Sequence, residues 1–361
     1  MTGIRARAGA VSTLVLAGLV ALTACAGSPQ QSASSPATDD APASGLVPAA
    51  EGKTSYPLEL DTQWGTTTLE KRPERIAAVT PSQDDAEALA ALGVTPVIAS
   101  EWATDVWLND ALTEEIPNRF TTGDTQYPVE QIAAAEPDLI IVLGADLASD
   151  YEKLSSIAPV LATAQKGGSE QSVANDWADS IRQIGEALDL QDAAEEALDE
   201  EEQFYADFRA AHPEFAGLTA TYLVYYGEEG GLQYHSTAGS PAESVFERMG
   251  FAENPGAAQF TYRQEVSEEL LSALDADVIL FSDNSDGNYA DIVDQPLFQN
   301  LQAVKDGHLI LIDNRAAEGT FVIDGEEHTG NMPWALARSG PLSGTWAVTQ
   351  IAPALQSALA G

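Results

Sequence analysis

Histidine and cysteine, two residue types that often take part in catalysis, are few in this chain and lie far apart, and carboxylates are too numerous to indicate a site. The sequence has four histidines and one cysteine, and no two histidines have the short spacing that holds zinc. No serine lies in a Gly-x-Ser-x-Gly turn, and no glycine-rich phosphate loop precedes a predicted helix. Because the sequence lacks these constellations, we expect a protein that is not an enzyme. The four histidines are His212, His235, His308 and His328.

Aromatic and arginine side chains instead occur together at several points, which favours binding chemistry. Trp102 and Trp107 flank Asp105 after a short apolar run, and Tyr262 is adjacent to Arg263. Aromatic faces can cover an apolar or conjugated ligand, while arginine donates charge-assisted hydrogen bonds to oxygen atoms. Since the chain has 56 acidic residues, arginines in predicted loops are not needed for solubility. The other candidates of this kind are Tyr225, Arg315, Trp334 and Arg338.

The charge balance excludes one large class of function. The chain has 16 basic and 56 acidic residues, which gives a formal net charge of -40. A nucleic acid favours clustered lysine and arginine, so we expect no nucleic-acid partner. Hydrophobic residues make up 44% of the 361 positions. That content and length are sufficient for packed cores and indicate two domains.

The N-terminus has the features of an export signal that ends in a lipid attachment site. Two arginines precede an apolar run from Ala8 to Ala21, which is too short for a permanent membrane span. The run ends in Leu22-Thr23-Ala24-Cys25, which resembles the bacterial lipobox. We therefore predict a signal peptide over 1–24 and lipidation of Cys25, so that the exported protein is anchored to the outer face of the cell membrane.

Short β-type runs alternate with helical stretches along the rest of the chain. Such alternation predicts an α/β fold with mainly parallel sheets that are covered on both faces. The runs form two sets, the second of which begins at Thr219. The predicted strands are 76–79, 97–99, 139–143, 220–226, 278–281 and 309–312, with helices at 84–92 and 129–135.

The two sets repeat one local pattern. Ile132-Ala-Ala-Ala-Glu-Pro-Asp138-Leu-Ile-Ile matches Leu271-Ser-Ala-Leu-Asp-Ala-Asp277-Val-Ile-Leu in its apolar positions and in the aspartate before the strand. The distance between the copies is far longer than the period of a solenoid repeat. The repeat therefore predicts two similar lobes.

The stretch between the two sets has the strongest helical pattern in the chain. Apolar residues recur with helical spacing up to Ala211, Asp192 and Glu195 could cap the start, and Pro213 ends the pattern. One stiff helix between two lobes permits only a small rocking motion. The predicted organisation is a flexible tether over 25–55, an N-terminal lobe over 56–190, a linking helix over 191–212 and a C-terminal lobe over 213–361.

Several segments, taken in their order along the chain, resemble the substrate-binding lipoproteins of ATP-driven (ABC) importers. The resemblance is to the helical-backbone class, class III of the periplasmic binding proteins, which carry iron–siderophore complexes, cobalamin or haem. It extends from about Arg72 to the C-terminus. No single segment is diagnostic, but the occurrence of all of them in the order of the family is. The matching segments are 72–77 with 90–93, 129–141, 157–160, 266–280, 296–308 and 340–343.

The resemblance implies that the ligand binds in the cleft between the lobes, at the ends of the strands. A siderophore already surrounds its Fe(III), so such a protein needs no cofactor and no metal ligands of its own. The resemblance thus implies ligand contacts for the aromatic and arginine candidates named above. Neighbouring strand residues face opposite ways, so Tyr225 and Tyr226 cannot both line the cleft. We place Tyr225 there.

The class of ligand stays open at this stage. The negative net charge repels a trianionic catecholate complex and favours a neutral or cationic hydroxamate, although salt screens such effects beyond about 10 Å. Haem would need an axial ligand, for which His235 beside Tyr234 is the candidate. Cobalamin is a further alternative, and free zinc or manganese would need convergent ligands. A surface lipoprotein without a transport role would have no closed pocket.

The resemblance also implies a membrane permease as partner, met by one glutamate at the outer tip of each lobe. In the first lobe the Ala-Leu-Gly sequence places this role at Glu87. In the second lobe Glu243 is the candidate, with Glu247 as the alternative because the register differs by one residue. We expect a monomer.

Overall fold

A computed structural model describes residues 46–62, 64–122, 127–144, 147–163 and 177–360. These residues belong to one compact unit. The predicted signal peptide, Cys25 and most of the predicted tether lie outside the described residues. Within the described ranges, no helix combines the length and the apolar composition needed to cross a membrane.

The first lobe is built on short parallel strands whose residues are almost all buried. Three strands pair in the order β3-β6-β7, two more pair as β4-β5, and an antiparallel hairpin, β1-β2, lies beside them. Apolar runs such as Leu139–Val142 are buried on both faces, as expected of parallel strands covered by helices. The strands are β1 (Leu58–Thr62), β2 (Gly65–Leu69), β3 (Ile76–Ala78), β4 (Ala99–Ser100), β5 (Arg119–Phe120), β6 (Leu139–Val142) and β7 (Val160–Ala162). The helices are α1 (Asp84–Ala91), α2 (Val106–Ala111), α3 (Val129–Ala134), α4 (Tyr151–Ser155), α5 (Trp177–Leu188) and α6 (Gln191–Ala211).

The second lobe has one seven-stranded sheet. Its centre is parallel, with Val278 opposite Ala220 and Ile279 opposite Leu309, and its flanks are antiparallel. The order is β10-β9-β8-β11-β12-β13-β14. The strands are β8 (Ala220–Tyr225), β9 (Leu232–Tyr234), β10 (Gln264–Glu265), β11 (Val278–Asp283), β12 (Leu309–Arg315), β13 (Thr320–Ile323) and β14 (Glu326–Thr329). The helices are α7 (Gly227–Gly230), α8 (Pro241–Met249), α9 (Ala290–Val293), α10 (Gln302–Lys305), α11 (Met332–Arg338) and α12 (Ser343–Leu359), with short 3-10 turns between them.

The repeated aspartates have equivalent roles in the two lobes. The Asp138 carboxylate accepts hydrogen bonds from the backbone N–H of Glu74 and Arg75, at 3.0 and 2.8 Å, just before β3. The Asp277 carboxylate accepts from the backbone N–H and the hydroxyl of Thr219, at 2.7 and 2.8 Å, just before β8. Each aspartate thus ties the start of one parallel strand to its neighbour. The similarity predicted from the repeat is present in the structure.

Helix α6 joins the lobes at the predicted place. It packs through the buried Tyr205 and Phe208, and the Arg248 guanidinium lies 3.8 Å from the centre of the Tyr205 ring. At 1.5 Å per residue it is about 31 Å long. The predicted capping pair does not form: the helix has no side-chain cap at its N-cap residue, and Glu195 pairs with Arg182 at 2.8 Å.

The cap comes from the segment before the first lobe. The Glu51 carboxylate accepts hydrogen bonds from the backbone N–H of Asp192 and Ala193, at 2.7 and 3.0 Å. In return, the Asp189 carboxylate accepts from the backbone N–H of residues 52–54 at 2.7 to 2.9 Å. The expected tether boundary at residue 55 is therefore too late. The segment 46–55 belongs to the folded body because it supplies the hydrogen bonds that the α6 N-terminus lacks.

Candidate functional site

A pocket of about 300 Å³ opens at the carboxyl ends of the parallel strands of the second lobe. Tyr226 directly follows β8, Asn284 follows β11 and Ala316 follows β12. Side chains at this edge of a parallel sheet converge because the connecting loops diverge there, which makes it the usual ligand site of an α/β sheet. The remaining lining residues are His235, Tyr262, Arg263, Asn331, Pro333, Trp334 and Ala337.

One wall of the pocket is aromatic. The His235 ring lies 6.3 Å from Tyr226 and 5.4 Å from Tyr262, the latter in an edge-to-face arrangement. His235 is 3% exposed. Burial, assisted by the nearby positive charge of Arg263, lowers the pKa of His235 to about 3. The imidazole is therefore neutral at physiological pH and adds no charge to the pocket.

Arg263 supplies the positive charge of the lining. Its guanidinium lies 5.7 Å from the centre of the Tyr226 ring, and its Nε donates a hydrogen bond to Gln233 Oε1 at 3.3 Å. The backbone of Arg263 has a φ of 58°, in the left-handed region that non-glycine residues seldom occupy. None of the ten lining residues is acidic. The pocket is thus suited to a ligand that presents aromatic or apolar surface together with oxygen acceptors.

Trp334 forms the outer wall and is held from behind. Helix α11 is capped by Asn331, whose side-chain oxygen accepts a hydrogen bond from the Trp334 backbone N–H at 3.2 Å. The indole is 39% exposed. Four residues later, the Arg338 guanidinium stacks 4.3 Å from the centre of this ring and forms a 3.2 Å ion pair with Asp84 of the first lobe. The pocket therefore lies beside the junction of the two lobes.

The junction is fixed by a second carboxylate of α1. Glu87 Oε1 accepts hydrogen bonds from the backbone N–H of Leu342 at 3.1 Å and from the N–H and hydroxyl of Ser343 at 2.8 and 2.9 Å. These two residues lie at the start of α12. The Glu87 side chain lies so close to the backbone before α12 that a Cβ atom at Gly340 would overlap Glu87 Oε1. Burial raises the pKa of Glu87 to about 7.

These contacts correct the expectation that Glu87 docks onto a permease. Glu87 is 0% exposed, and its carboxylate is occupied by the second lobe. Glu243 is also buried, and its carboxylate accepts from the Gly239 N–H at 3.0 Å at the start of its own helix. Of the two glutamates considered for the second lobe, Glu247 is the exposed one. The Ala-Leu-Gly sequence placed Glu87 on a predicted helix that the structure contains, but it could not show which face of that helix is covered.

Two aromatic candidates lie in the core and not in the pocket. Trp107 is buried in α2 against Trp346 of α12, with ring centres 4.8 Å apart. Tyr225 faces the core beside Phe281, with ring centres 6.4 Å apart. Strand alternation correctly predicted that the two tyrosines face opposite ways. The choice between them was wrong, because Tyr226 and not Tyr225 lines the pocket.

Two further candidates are at the surface. Arg315 forms ion pairs with Asp313 and Glu327, at 3.0 and 3.1 Å, and only its neighbour Ala316 reaches the pocket. Trp102 is 60% exposed in the first lobe and is absent from the pocket lining. Of the predicted ligand contacts, Tyr262, Arg263 and Trp334 are thus brought together, with Arg338 behind Trp334.

Sequence reasoning missed the part played by two asparagines and gave His235 another role. Asn331 was detectable, because an asparagine before Met-Pro-Trp is a typical helix N-cap. Asn284 follows a buried strand that the sequence did predict, so its place at the sheet edge could have been inferred. The neutral state of His235 depends on its burial among Tyr222, Tyr226 and Tyr262, which no local pattern reveals.

The second lobe has another cavity, of about 380 Å³, with a different lining. Its floor is formed by Phe281 of β11 and by aliphatic residues of β12 and β13, and its rim carries Asp283, Asp313 and Asp324. Across the described ranges, no group of three or more histidine, cysteine or acidic residues is placed to hold a metal ion. Ionised carboxylates accept hydrogen bonds and do not donate them, so the three aspartates of this rim do not suit a ligand that presents oxygen acceptors.

The fold and the site agree with comparison to known proteins. The family model for periplasmic binding proteins matches residues 76–316, and the chain belongs to that family. The chain is 28% identical over 250 residues to the Fe(3+)-citrate-binding protein YfmC of Bacillus subtilis (strain 168), covering 68% of this chain and 75% of that protein. It is 27% identical over 259 residues to the "Probable siderophore-binding lipoprotein YfiY" of the same organism, covering 67% and 75%.

A solved structure shows the same fold over most of the chain. The periplasmic solute binding protein from Mycobacterium smegmatis str. MC2 155 has a TM-score of 0.66 at 23% sequence identity, covering 84% of this chain and 98% of that one. The predicted fold class is confirmed: two α/β lobes with parallel strands and one long linking helix form a class III periplasmic binding protein.

Proposed function

We propose that this protein is the exported receptor of an ATP-driven importer and that it captures a ferric siderophore in the pocket beside the lobe junction. The observation that carries the proposal is the lining: the aromatic surfaces of Tyr226, Tyr262 and Trp334 surround a space, and Arg263 is the charged residue of its lining. A ferric chelate presents an apolar or conjugated surface with iron-bound oxygens at its centre. Aromatic walls and one guanidinium match both features.

The names of the relatives support the same class of ligand. YfmC is named for Fe(3+)-citrate, and YfiY for siderophore binding and for its lipoprotein nature. The iron is part of the ligand, so the protein itself needs no metal ligands. The pocket opens to one side, which allows a chelate larger than about 300 Å³ to remain partly exposed.

Within siderophores, the proposal favours a hydroxamate. A neutral hydroxamate complex avoids the repulsion that a net charge of -40 imposes on a trianionic catecholate. Of the three arginines predicted to contact ligand, Arg315 and Arg338 already pair with carboxylates. Arg263 then offers a single positive charge to the ligand. Haem and cobalamin remain the alternatives, with His235 as the haem candidate.

Tryptophan fluorescence of the body that follows Cys25 tests this proposal. The protein would be titrated with ferric hydroxamate, ferric catecholate, ferric citrate, haem and cobalamin in turn. We expect saturable quenching by a ferric hydroxamate because Trp334 forms the outer wall. If haem or cobalamin binds most strongly, that compound and not a siderophore is the ligand. If none of the compounds binds, the proposal of a siderophore receptor is contradicted.

We also propose that a lipid at Cys25 keeps the protein at the membrane and that it delivers its ligand to a permease. The lipobox resemblance and the name of YfiY support the anchor. The exposed Glu247 on α8 is the proposed docking residue of the second lobe, where it could meet a basic permease surface. Release of a Cys25→Ser variant from the membrane fraction, with the wild type retained, is the expected result.

A further inference from the structure

One side chain connects the pocket wall to the opposite lobe. The Arg338 guanidinium lies 4.3 Å from the centre of the Trp334 ring, and its Nη1 lies 3.2 Å from Asp84 Oδ2. Trp334 lines the pocket, whereas Asp84 begins α1 in the first lobe. Arg338 itself does not line the pocket. The indole is therefore linked to a carboxylate that has no contact with the pocket.

The ion pair is sheltered from solvent. The side-chain exposure is 5% for Asp84 and 21% for Arg338. A buried carboxylate that loses its partner is left uncompensated, so such a pair is costly to separate. Arg338 would have to leave Asp84 to reach a ligand in the pocket. The geometry favours an arginine that stays on the aspartate.

The surrounding backbone also restricts this arginine. Trp334 and Arg338 are four residues apart on α11 and so lie on one helix face. The indole Nε1 of Trp177 donates a hydrogen bond to the Arg338 carbonyl oxygen at 3.3 Å. The next residue, Ser339, ends the helix with a φ of 46°. With its backbone fixed, the guanidinium keeps its place over the indole through the ion pair with Asp84, and the Asp105 carboxylate of the same lobe also attracts it.

We propose that Asp84 and Arg338 form a positioning pair for the ligand wall. Asp84 holds the guanidinium, the guanidinium holds the Trp334 ring by cation–π stacking, and the ring meets the ligand. Ligand affinity then depends on a residue of the first lobe that does not touch the ligand. This inference rests on the proposed function, and it changes the role of Arg338 from ligand contact to support.

The test compares Asp84→Asn, Arg338→Met and the double variant with wild type, using the best-binding ferric complex and stopped-flow fluorescence. We expect each single variant to bind about fivefold to tenfold more weakly, through faster dissociation, because a stacked cation contributes about that much. The double variant should be no weaker than either single one, since the pair acts as a unit. Arg182→Gln, which breaks the exposed pair with Glu195 outside the pocket lining, is the matched control and should bind like wild type.

One result would show that Arg338 contacts the ligand directly: Asp84→Asn binds like wild type while Arg338→Met is impaired. That result overturns the inference. If Asp84→Asn does not fold, Arg338→Lys replaces it, because lysine keeps the charge beside Asp84 but lacks the planar face that stacks on indole. We expect Arg338→Lys to bind more weakly than wild type, and unchanged affinity would contradict the stacking role.

A measurement without ligand separates this inference from the proposed function. The emission of Trp334 is obtained as the difference between each protein and its Trp334→Phe counterpart. We expect Asp84→Asn to shift that emission, because the ring loses its support, and Arg182→Gln to leave it unchanged. An unchanged Trp334 emission in Asp84→Asn would overturn the inference. If no ferric complex binds wild type, the proposed function fails, and this spectrum still decides whether the pair positions Trp334.

Discussion

Helices α1 and α8, one in each lobe, both carry a buried glutamate, yet the two glutamates have different partners. Glu87 of α1 accepts three hydrogen bonds from Leu342 and Ser343 in the second lobe. Glu243 of α8 accepts one from Gly239, at the start of its own helix. Burial raises the pKa of both carboxyls to about 7. Two similar helices thus serve the junction in one lobe and local structure in the other.

The difference shows that the two lobes contribute unequally to the site. The first lobe supplies the carboxylates of the junction, Asp84 and Glu87. All ten residues that line the pocket come from the second lobe. The walls of the pocket thus belong to one lobe, and the carboxylates that hold the junction belong to the other.

The largest effect is expected from loss of the junction carboxylate. Glu87→Ala leaves two buried backbone N–H groups and a hydroxyl without an acceptor, so the free energy of unfolding should fall by about 3 kcal/mol. Glu243→Ala removes the acceptor of a single N–H, and its cost should be about 1 kcal/mol. Urea unfolding at slightly acidic pH measures both. Equal losses would mean that the two helices do not differ as described.

The next comparison concerns the tryptophans of the two lobes. Trp334→Ala should weaken binding of the ferric complex by about 2 kcal/mol, since a contacting aromatic wall is commonly a dominant contact. Trp102→Ala should change it by less than about 0.5 kcal/mol, as is usual for exposed side chains away from a site. Fluorescence or calorimetric titration gives both values. A larger effect at Trp102 would show that the first lobe supplies a wall after all.

Stability should decrease as the pH rises through the acidic range, in part because of these two carboxyls. The folded-state pKa of Glu87 and of Glu243 lies at about 7, above the ordinary value of 4.5. Between those values the folded chain keeps protons that the unfolded chain releases, so the free energy of unfolding falls with rising pH. Glu87→Gln should lose part of this slope, because its side chain does not titrate. Urea unfolding at several pH values tests this, and a slope identical to that of wild type would be evidence against a buried, titrating Glu87.

The smallest effect is expected at the segment that caps the linking helix. Glu51→Ala removes the acceptor for two backbone N–H groups of α6, and loss of a helix cap costs about 1 kcal/mol. Thermal unfolding would measure it, with Glu59→Ala in β1, which has no capping role, as the control. Ligand affinity should be unchanged in both variants. If Glu51→Ala is as stable as the control, residues 46–55 do not stabilise the folded body through this cap, and the predicted tether boundary at residue 55 would stand.

The sequence was sufficient to predict where helices and strands lie, but not which face of each helix is buried against the rest of the protein. The strands around Ile140 and Ile279 and the linking helix followed from periodicity, because burial on both faces leaves a continuous apolar run. The repeated Asp138 and Asp277 correctly indicated two lobes. The burial of Glu87 depends on Ser343, a residue distant in the chain, and no local pattern contains that contact.

The same distinction applies to the candidate site. Tyr262 and Trp334 were candidates because aromatic faces can cover a ligand, and Arg263 was a candidate because so acidic a chain does not need loop arginines for solubility. Trp107 has the same residue type and a similar setting, yet it packs against Trp346. Residue type suggested which side chains could bind a ligand, and only the packing separated those that face the pocket from those in the core.

The most direct test of the unequal lobes is a crystal structure of the protein with its best-binding ferric complex. The account predicts the chelate against the rings of Tyr226 and Trp334, with the Arg263 guanidinium within hydrogen-bonding distance of a ligand oxygen and Arg338 still paired with Asp84. A chelate held mainly by first-lobe residues, or seated in the cavity rimmed by Asp283, Asp313 and Asp324, would contradict it.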